Sequence, residues 1–537
     1  MVDQIAVVTV TTPNVAAPTT IDVTSPLITE TFSAAILIYS GFTADNNDNS
    51  HGILGIGFVA PDAGATRTEE AMCAAAEDGN AIAPNCNTLH ANNAAVNVPD
   101  PTSATAAAGL VATYNSSIAG GVRLNLTTIA SIGGGNFLQV KITAILFAGL
   151  SRAYVDDTAA NTTAHEDVGG TTDFQPDLAV FAATGGGLTA GQQDGIPNMG
   201  FACNKAGVPQ VHAYVRLNDA VEPTDGDGFV SSAHCYGAYQ NGTDNRERAS
   251  ITSFDATGWN QVAEANTPTA HYVGLKFSGA FRMQCDNFPV TASATPQDFA
   301  FGFTPDIVVG MVTLLTAEDS EVDGATASAA GFFVTGRFGS RAYTLCHREG
   351  INIPADANSF AKSRQEDVAV LCYDHQGNVV IRGVLVGPSG NAGLRINFTT
   401  ASQAAMLTML GIQLHQEAPS KRGNAVRAVA QPSPQHRHRP TVGGTRHSSV
   451  IGRVLAEVAR FRRAALARVR WRPLPEGEPF VPPVAIVLEE PPKGRIAAPG
   501  LVRGRVVATG DTPAHVAQAG LLRGRLSGPT IKQPEDP

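Results

Sequence analysis

Carboxylate and amide side chains gathered in short stretches are the residues of this sequence whose types and spacing best fit chemistry. These stretches lie at residues 45–49, 192–194, 225–227 and 318–323. Their oxygen atoms suit Ca²⁺, but Ser50 stands where an EF-hand loop requires Gly, and no Glu closes that loop. Paired carboxylates can also hydrolyse glycosidic bonds, although a sequence gives no distance between them. We interpret the stretches as solvated turns and predict no metal, no cofactor and no catalytic residue.

Sequence motifs of the common enzyme classes are absent from the chain. It contains no Gly-x-x-x-x-Gly-Lys-Ser/Thr loop for phosphate, no Gly-x-Gly-x-x-Gly for dinucleotides, and neither His-Glu-x-x-His nor Gly-x-Ser-x-Gly. Without a Cys-x-x-Cys pair, a structural zinc site is not expected either. His436 and His438 lie among arginines in a basic segment, and we interpret them as linker residues. We therefore expect a protein that is not an enzyme.

Short strands and turns are the elements that must position these side chains. Charged residues make up 16% of the chain, which is low against the ~25% of typical globular proteins. Gly and Pro are plentiful, with 54 and 33 residues. Stretches such as Val122-Arg-Leu-Asn-Leu126 alternate apolar and polar residues, as a strand with one buried face does. Composition and pattern together predict a mainly β fold.

Several sequence elements recur in the same order. Phe-x-Pro-Asp followed by an apolar strand begins at Phe174 and again at Phe303. A small-Gly-Phe element occurs in each of three places, and so does a Gly that precedes an alternating strand. The matched glycines are Gly57, Gly200 and Gly331 in the first case, and Gly121, Gly258 and Gly393 in the second. This order predicts three divergent copies of a unit of about 135 residues, each a β-sandwich or jelly-roll-like domain.

These observations predict a division of the chain into seven segments. The expected segments are an N-terminal arm 1–26, β repeats 27–150, 151–281 and 282–415, a basic linker 416–447, an amphipathic helix 448–472 and a Pro-rich extended arm 473–537. The first twenty residues show no secretion signal, and no stretch approaches the ~18 apolar residues of a membrane span. We expect no membrane span and no export by an N-terminal signal.

The seven cysteines follow the predicted copies. Two lie in each copy, and Cys285 is left over; the pairs within copies are Cys73 and Cys86, Cys203 and Cys235, and Cys346 and Cys372. One disulfide per copy and buried free thiols both fit this distribution. We favour free thiols, because nothing in the sequence indicates an oxidising compartment.

The C-terminal part of the chain is basic, whereas the rest is acidic. Residues 421–537 hold 20 Lys and Arg against 8 Asp and Glu, and residues 1–420 hold 17 against 39. Apolar residues at helical spacing from Ile451 to Val469 predict the amphipathic helix, with arginines opposite. We expect this arm to dock on an acidic protein neighbour through Arg453, Arg460, Phe461, Arg463, Arg503, Arg505, Arg523 and Arg525. Contact with an anionic membrane surface and folding back on the body stay open, while few aromatics and no recognised module speak against nucleic-acid binding.

The order of these elements resembles β modules repeated in virion proteins of tailed bacteriophages, which occur in tail, fibre and related surface proteins. The resemblance covers residues 27–415 and is clearest in the second copy. There, Ser253-Phe-Asp-Ala-Thr-Gly258 and Tyr272-Val-Gly-Leu275 follow the Phe-x-Pro-Asp element. The third copy lacks the Ser-Phe-Asp motif, and the first copy lacks the Phe-x-Pro-Asp motif. The resemblance implies a structural role and supplies no catalytic residues.

The function that we predict is that of a non-enzymatic structural subunit of a tailed-phage virion. We expect a tail, fibre or surface position, including capsid decoration, with assembly in the host cytoplasm. The expected partners are other virion proteins, bound through the C-terminal arm, and further copies of the chain in a homo-oligomer. Two alternatives stay open: an array of carbohydrate- or receptor-binding modules for a host surface glycan, and a capsule polysaccharide depolymerase. A non-viral secreted or surface protein is a further alternative.

Overall fold

All regular elements in the described part of the chain are β-strands, so the prediction of a mainly β fold is confirmed. The computed structural model describes residues 2–14, 19–61, 67–76, 78, 86–101, 108–129, 139–158, 163–169, 173–183, 192–193, 197–217, 226–239, 246–264, 270–320, 322–323, 329–348, 360–390 and 392–414. These residues belong to one compact unit, Met1–Arg427. The predicted linker 416–447, helix 448–472 and arm 473–537 lie outside the described residues.

The strands fall into three sets along the chain. The first set is β1 (Gln4–Thr11), β2 (Thr19–Thr24), β3 (Phe32–Phe42), β4 (Asn49–Ser50), β5 (Gly52–Val59), β6 (Glu69–Ala76), β7 (Cys86–Ala91), β8 (Val96–Pro99), β9 (Ala108–Ile118), β10 (Gly121–Ile129) and β11 (Gln139–Ala148). The second set is β12 (Arg152–Asp157), β13 (Thr163–Asp167), β14 (Leu178–Ala183), β15 (Gln192–Gln193), β16 (Asn198–Cys203), β17 (Gln210–Leu217), β18 (Gly226–Ser231), β19 (Tyr236–Tyr239), β20 (Arg246–Phe254), β21 (Gly258–Glu264) and β22 (Ala270–Lys276). The third set is β23 (Phe281–Val290), β24 (Pro296–Ala300), β25 (Ile307–Thr313), β26 (Val322–Asp323), β27 (Ala329–Gly336), β28 (Gly339–Arg348), β29 (Phe360–Glu366), β30 (Val370–Tyr373), β31 (Val379–Ser389), β32 (Gly393–Ala401) and β33 (Ala405–Leu414).

Each set supplies six strands of one seven-stranded antiparallel sheet and all strands of one four-stranded antiparallel sheet. The strand order is the same in all three sets. The seven-stranded orders are β1-β11-β3-β5-β6-β7-β15, β12-β22-β14-β16-β17-β18-β26 and β23-β33-β25-β27-β28-β29-β4. The four-stranded orders are β2-β10-β9-β8, β13-β21-β20-β19 and β24-β32-β31-β30.

The last strand of each seven-stranded sheet comes from a different set. β15 of the second set pairs with β7 of the first, β26 of the third pairs with β18 of the second, and β4 of the first pairs with β29 of the third. Each set therefore gives a two-residue strand to one neighbour and receives one from the other. The exchange is cyclic, and it covers one edge of every seven-stranded sheet.

Burial explains why the two kinds of sheet have different sequences. Strands in the middle of the seven-stranded sheets, such as β5 and β25, are buried along their whole length. Strands β31 and β32 of a four-stranded sheet instead alternate buried with less buried residues over much of their length. One face of each seven-stranded sheet packs on the four-stranded sheet of its own set, and the opposite faces of all three share one large apolar core. A strand covered on both faces needs apolar residues throughout, whereas a half-covered strand needs every second one.

The glycines matched in the sequence have matching surroundings. A Cβ built on Gly57, Gly200 or Gly331 would lie 2.0, 1.7 or 2.4 Å from a carbonyl oxygen, that of Ala95, Cys235 or Leu371 respectively. Each of these carbonyls belongs to the edge strand β8, β19 or β30 of a four-stranded sheet or to the residue directly before it. Glycine recurs here because the backbones of the two sheets approach too closely for a side chain.

The predicted N-terminal arm 1–26 requires correction. Strand β1 is an edge strand of the seven-stranded sheet of the first set and pairs with β11, and β2 is an edge strand of the four-stranded sheet and pairs with β10. They correspond to β12 and β13, and to β23 and β24, in the other sets. The strands β1 and β2 are short, rich in Val and Thr and separated by a segment with two Pro, so their sequence does not mark them clearly as part of a repeat. This segment is part of the first set.

Candidate functional site

A cluster of ionisable side chains lies where the first two sets meet. Asp157, the last residue of β12, pairs in register with His271 on β22, so both side chains come from the second set. Glu70 comes from β6 of the first set, where it lies opposite Phe58 of β5. Glu70 and His271 are buried, and Asp157 is 18% exposed. The chain thus places three potential metal ligands at one boundary between sets.

The two carboxylates converge on one nitrogen atom of the imidazole. His271 Nδ1 lies 2.6 Å from Asp157 Oδ1 and 3.1 Å from Glu70 Oε2. The Nδ1–H group donates to Asp157, while Glu70 Oε2 accepts no hydrogen bond from the described residues. The three donor atoms lie within 4.8 Å of one another. The ring of His90 is nearby, with its centroid 5.6 Å from that of His271.

Arg67 holds the other oxygen atoms of the same carboxylates. Its Nη1 lies 2.7 Å from Glu70 Oε1, contacts Asp157 Oδ2 and lies 3.2 Å from Asp156 Oδ1. Each of Glu70 and Asp157 therefore places one oxygen on Arg67 and the other beside His271.

The charges of the cluster shift its pKa values in different directions. Burial alone would lower the pKa of His271, but the carboxylates of Glu70 and Asp157 raise it. Burial raises the pKa of Glu70, and His271 opposes this rise. His271 and Arg67 hold the pKa of Asp157 below its usual value despite partial burial. Burial and the neighbouring His271 lower the pKa of His90 to about 3, so His90 is neutral.

The boundary between the third and first sets carries neutral groups at the corresponding positions. Tyr343 lies opposite Phe332 as Glu70 lies opposite Phe58, and Thr9 pairs with Thr143 as Asp157 pairs with His271. Thr143 Oγ1 is 2.8 Å from Tyr343 Oη and 2.9 Å from Thr9 Oγ1.

The boundary between the second and third sets has an apolar residue at the position of Glu70. This residue is Val211, which lies opposite Phe201 and is buried. One position in the fold is thus ionic at one boundary, hydroxyl-bearing at another and apolar at the third.

Three of the four polar stretches singled out in the sequence supply the exchanged strands, and Gly226 and Asp227 of the fourth begin β18, with which β26 pairs. Residues 49–50, 192–193 and 322–323 are β4, β15 and β26. Asn46 and Asp319, at φ of 63° and 52°, donate their backbone N–H groups to carbonyls of Gln365 and Val230 in the neighbouring sets. These stretches therefore join the sets.

Carboxylates of the first stretch are bound by cations of other strands. Asp45 Oδ2 lies 2.6 Å from Lys141 Nζ, and Asp45 Oδ1 contacts Arg341 of the third set. Asp48 Oδ1 accepts hydrogen bonds from Arg364 Nη1 at 2.9 Å and from Tyr373 Oη at 2.6 Å, both in the third set. Asp45 and Asp48 thus already form ion pairs across the boundary with the third set.

Six described cysteines are free and buried: Cys73, Cys203, Cys235, Cys285, Cys346 and Cys372. The sulfur atoms of Cys203 of the second set and Cys285 of the third lie 3.7 Å apart. These two belong to different sets, so the described thiols do not form the within-copy bridges that the sequence left open.

The residues predicted to bind partners all lie outside the described residues: Arg453, Arg460, Phe461, Arg463, Arg503, Arg505, Arg523 and Arg525. Glu70, Asp157 and His271 are not recognisable as a group in the sequence, because they come from three strands far apart in the chain. One signal was available: Glu69-Glu70 directly precedes the apolar run of β6. Adjacent carboxylates at the start of a fully buried strand require a partner.

Comparison of the chain with protein-family models, with curated proteins and with solved structures finds no match. Among the described residues, no helix has the length and apolarity that would be needed to cross a membrane.

Proposed function

We propose that this chain is a non-enzymatic structural subunit of a tailed-phage virion, in which three β-sandwich repeats form one interlocked body. Each repeat would correspond to one set of strands, with its seven-stranded and four-stranded sheets as the two layers. The observation that carries the proposal is the cyclic exchange of β4, β15 and β26. Through this exchange every set depends on both others.

An interlocked body of this kind suits a mechanical role. The three sets share one core, and each seven-stranded sheet has one edge closed by a neighbour. Short connections join consecutive sets, from β11 to β12 and from β22 to β23. Local opening of one set would therefore disturb the other two, which favours resistance to unfolding over internal motion.

The C-terminal arm is the part that we propose to anchor the subunit. Residues 421–537 carry an excess of 12 positive charges, whereas residues 1–420 carry an excess of 22 negative charges. Opposite charges on the arm and on the body of another copy would favour association between subunits. The same arm would also dock on other acidic virion proteins.

Electron microscopy of purified particles tests the function. Particles from a lysate of cells that carry the gene would be banded by density and labelled with gold-linked antibody against the full chain. We expect label at regular positions on tails, fibres or capsids. Recovery of the protein only in the particle-free fraction would refute the virion assignment. Glycan-dependent binding or capsule hydrolysis by that soluble protein would then favour one of the alternatives.

Charge reversal in the arm tests the anchoring separately. The full-length variant R503E/R505E/R523E/R525E should fold but be depleted from particles at least several-fold. The matched control is Arg395→Glu, which changes an exposed arginine of the body that is paired with Asp298. Equal incorporation of the arm variant and the control would refute anchoring by the arm while leaving the virion assignment intact.

A further inference from the structure

The boundary between the first and second sets holds more charge than the fold requires. We propose that Glu70, Asp157 and His271 bind one divalent transition-metal ion of the Zn²⁺ class there. The ligand atoms are Glu70 Oε2, Asp157 Oδ1 and His271 Nδ1, which lie within 4.8 Å of one another. The ion would join the first set to the second through Glu70 on one side and Asp157 with His271 on the other.

The geometry around His271 is that of three donors directed at one point. The single hydrogen on Nδ1 is donated to Asp157 Oδ1 at 2.6 Å. Glu70 Oε2 lies 3.1 Å from the same nitrogen, is fully buried and accepts no hydrogen bond from the described residues. A buried carboxylate oxygen without a hydrogen-bond donor is costly. A dication among the three atoms would displace the Nδ1 proton to solvent, leave the ring hydrogen on Nε2, accept an electron pair from each of the three donors and remove that cost.

Arg67 fixes the carboxylates from the outer side. It binds Glu70 Oε1 at 2.7 Å and also contacts Asp157 Oδ2, so the inner oxygen of each carboxylate faces His271. Outer partners of this kind orient metal ligands in known sites. Arg67 and the ion together would also balance the charges of Glu70, Asp157 and the adjacent Asp156, which lies 3.2 Å from Arg67.

Comparison of the boundaries shows that a boundary of this fold can be packed without ionic groups at these positions. At the boundary between the third and first sets, Tyr343 and Thr143 take the places of Glu70 and His271, and their hydroxyl groups satisfy each other at 2.8 Å. At the remaining boundary Val211 takes the place of Glu70. Neutral groups of similar size are usually at least as stabilising as a buried ion pair. Charged groups at only one of three corresponding positions indicate a ligand there.

The donor set indicates the class of metal. One imidazole nitrogen and two carboxylate oxygens suit Zn²⁺, Mn²⁺ or Fe²⁺, whereas Ca²⁺ and Mg²⁺ prefer oxygen ligands alone. We therefore use Zn²⁺ as the probe for affinity and Co²⁺ as its coloured substitute.

Titration of the full-length protein tests the site. After treatment with EDTA and desalting, ZnCl₂ would be added in a calorimeter and the bound metal measured after gel filtration. We expect about one Zn²⁺ per chain and a Co²⁺ absorption spectrum typical of a low-symmetry site. The variant His271→Thr, which copies Thr143, should weaken Zn²⁺ binding by more than about 100-fold, since loss of an outer partner alone costs 10–100-fold.

Two controls keep the result decisive. H436A/H438A removes the histidines of the basic segment, which are separate candidates for adventitious Zn²⁺, and it should bind as the wild type does. Glu70→Gln keeps the shape of the side chain and replaces His271→Thr if that variant does not fold, as judged by circular dichroism without metal. Binding that survives both His271→Thr and Glu70→Gln but is lost in H436A/H438A would overturn the proposal. So would a wild-type chain that takes up no Zn²⁺, because the cluster would then hold a proton alone.

Discussion

Replacing Gly200 with alanine tests the close approach of the two sheets in the second set. The added Cβ would lie 1.7 Å from the carbonyl oxygen of Cys235, 2.8 Å from its carbon and 3.1 Å from the Cβ of His212. Because real Cβ atoms stay at least 3.0 Å from such atoms, the backbones must separate by more than 1 Å. Neither neighbour is a flexible side-chain end, so strand β16 or the start of β19 has to move.

The expected cost follows from this displacement. Overpacking of a buried site costs about 1–3 kcal/mol, and two strained backbone hydrogen bonds add about 1 kcal/mol each. Alanine also lowers the conformational entropy of the unfolded chain, which stabilises the protein by about 0.5–1 kcal/mol. The unfolding free energy should therefore fall by about 3 kcal/mol. For a body of roughly 400 residues, with an unfolding entropy of about 2.1 cal/mol/K per residue, Tm should fall by about 4 °C.

Thermal unfolding followed by circular dichroism measures this change. The matched control is Gly390→Ala, because a Cβ at Gly390 meets no atom within 4 Å and the backbone there needs no positive φ. The control should change Tm by less than about 1 °C, in line with ordinary surface substitutions. If Gly200→Ala unfolds at the wild-type temperature, the two sheets are not in the close contact described, and the matching of Gly57, Gly200 and Gly331 loses its physical basis.

Three further predictions concern pH, the exchanged strands and the thiols. Burial lowers the pKa of His347 to about 4, against about 6.5 for an unfolded histidine. The folded state therefore binds fewer protons than the unfolded state. The contribution of His347 to the unfolding free energy is complete above pH ~6.5 and is lost as pH falls toward 4, by up to about 3 kcal/mol. In His347→Gln, the unfolding free energy from urea titrations should fall less steeply over that pH window, and the same dependence on pH as in the wild type would contradict the prediction. Asp48→Asn keeps an oxygen that can accept from Arg364 and Tyr373 but removes the negative charge of the ion pair with Arg364. It should lower the unfolding free energy by about 1 kcal/mol, since the pair is partly exposed. Asp22→Asn, at an exposed pair within one sheet, is its control and should change the urea midpoint less. Burial raises the pKa values of Cys235, Cys346 and Cys372. The described thiols should therefore react with Ellman's reagent only when the protein unfolds. Rapid reaction of several thiols in the native protein would contradict this, because it would show that they are accessible.

Local sequence features predicted the parts of the fold that depend on local chemistry. Alternating stretches such as Val122–Leu126 lie in strands, and Gly200 and Gly331 stand where the sheets approach. Strand periodicity and the need for a missing side chain are properties of a few adjacent residues, so a single sequence carries them.

Features that depend on distant pairing were not predictable in this way. The exchanged strands are two residues long, too short to show any alternation, and β4 pairs with a strand more than 300 residues away. Their polar residues were interpreted as solvated turns because polar side chains between apolar strands are typical of loops. The cluster of Glu70, Asp157 and His271 was missed for the same reason, since each residue taken alone belongs to an ordinary strand.

Different chemistry at the three boundaries also opposes wrong pairing of similar sets. If the first set packed Glu70 against Thr143-like residues, the carboxylate would be buried without His271 and would face a hydroxyl that cannot neutralise it. Loss of one partner from a buried charge pair typically costs about 3–5 kcal/mol. Conversely, His271 beside Tyr343 or Val211 would lose Glu70, one of the two carboxylates that raise its pKa, and would keep only Asp157 of its own set. Each boundary therefore fits one neighbour better than the other, and together with the short connections at residues 149–151 and 277–280 this favours a single cyclic order of three otherwise similar units.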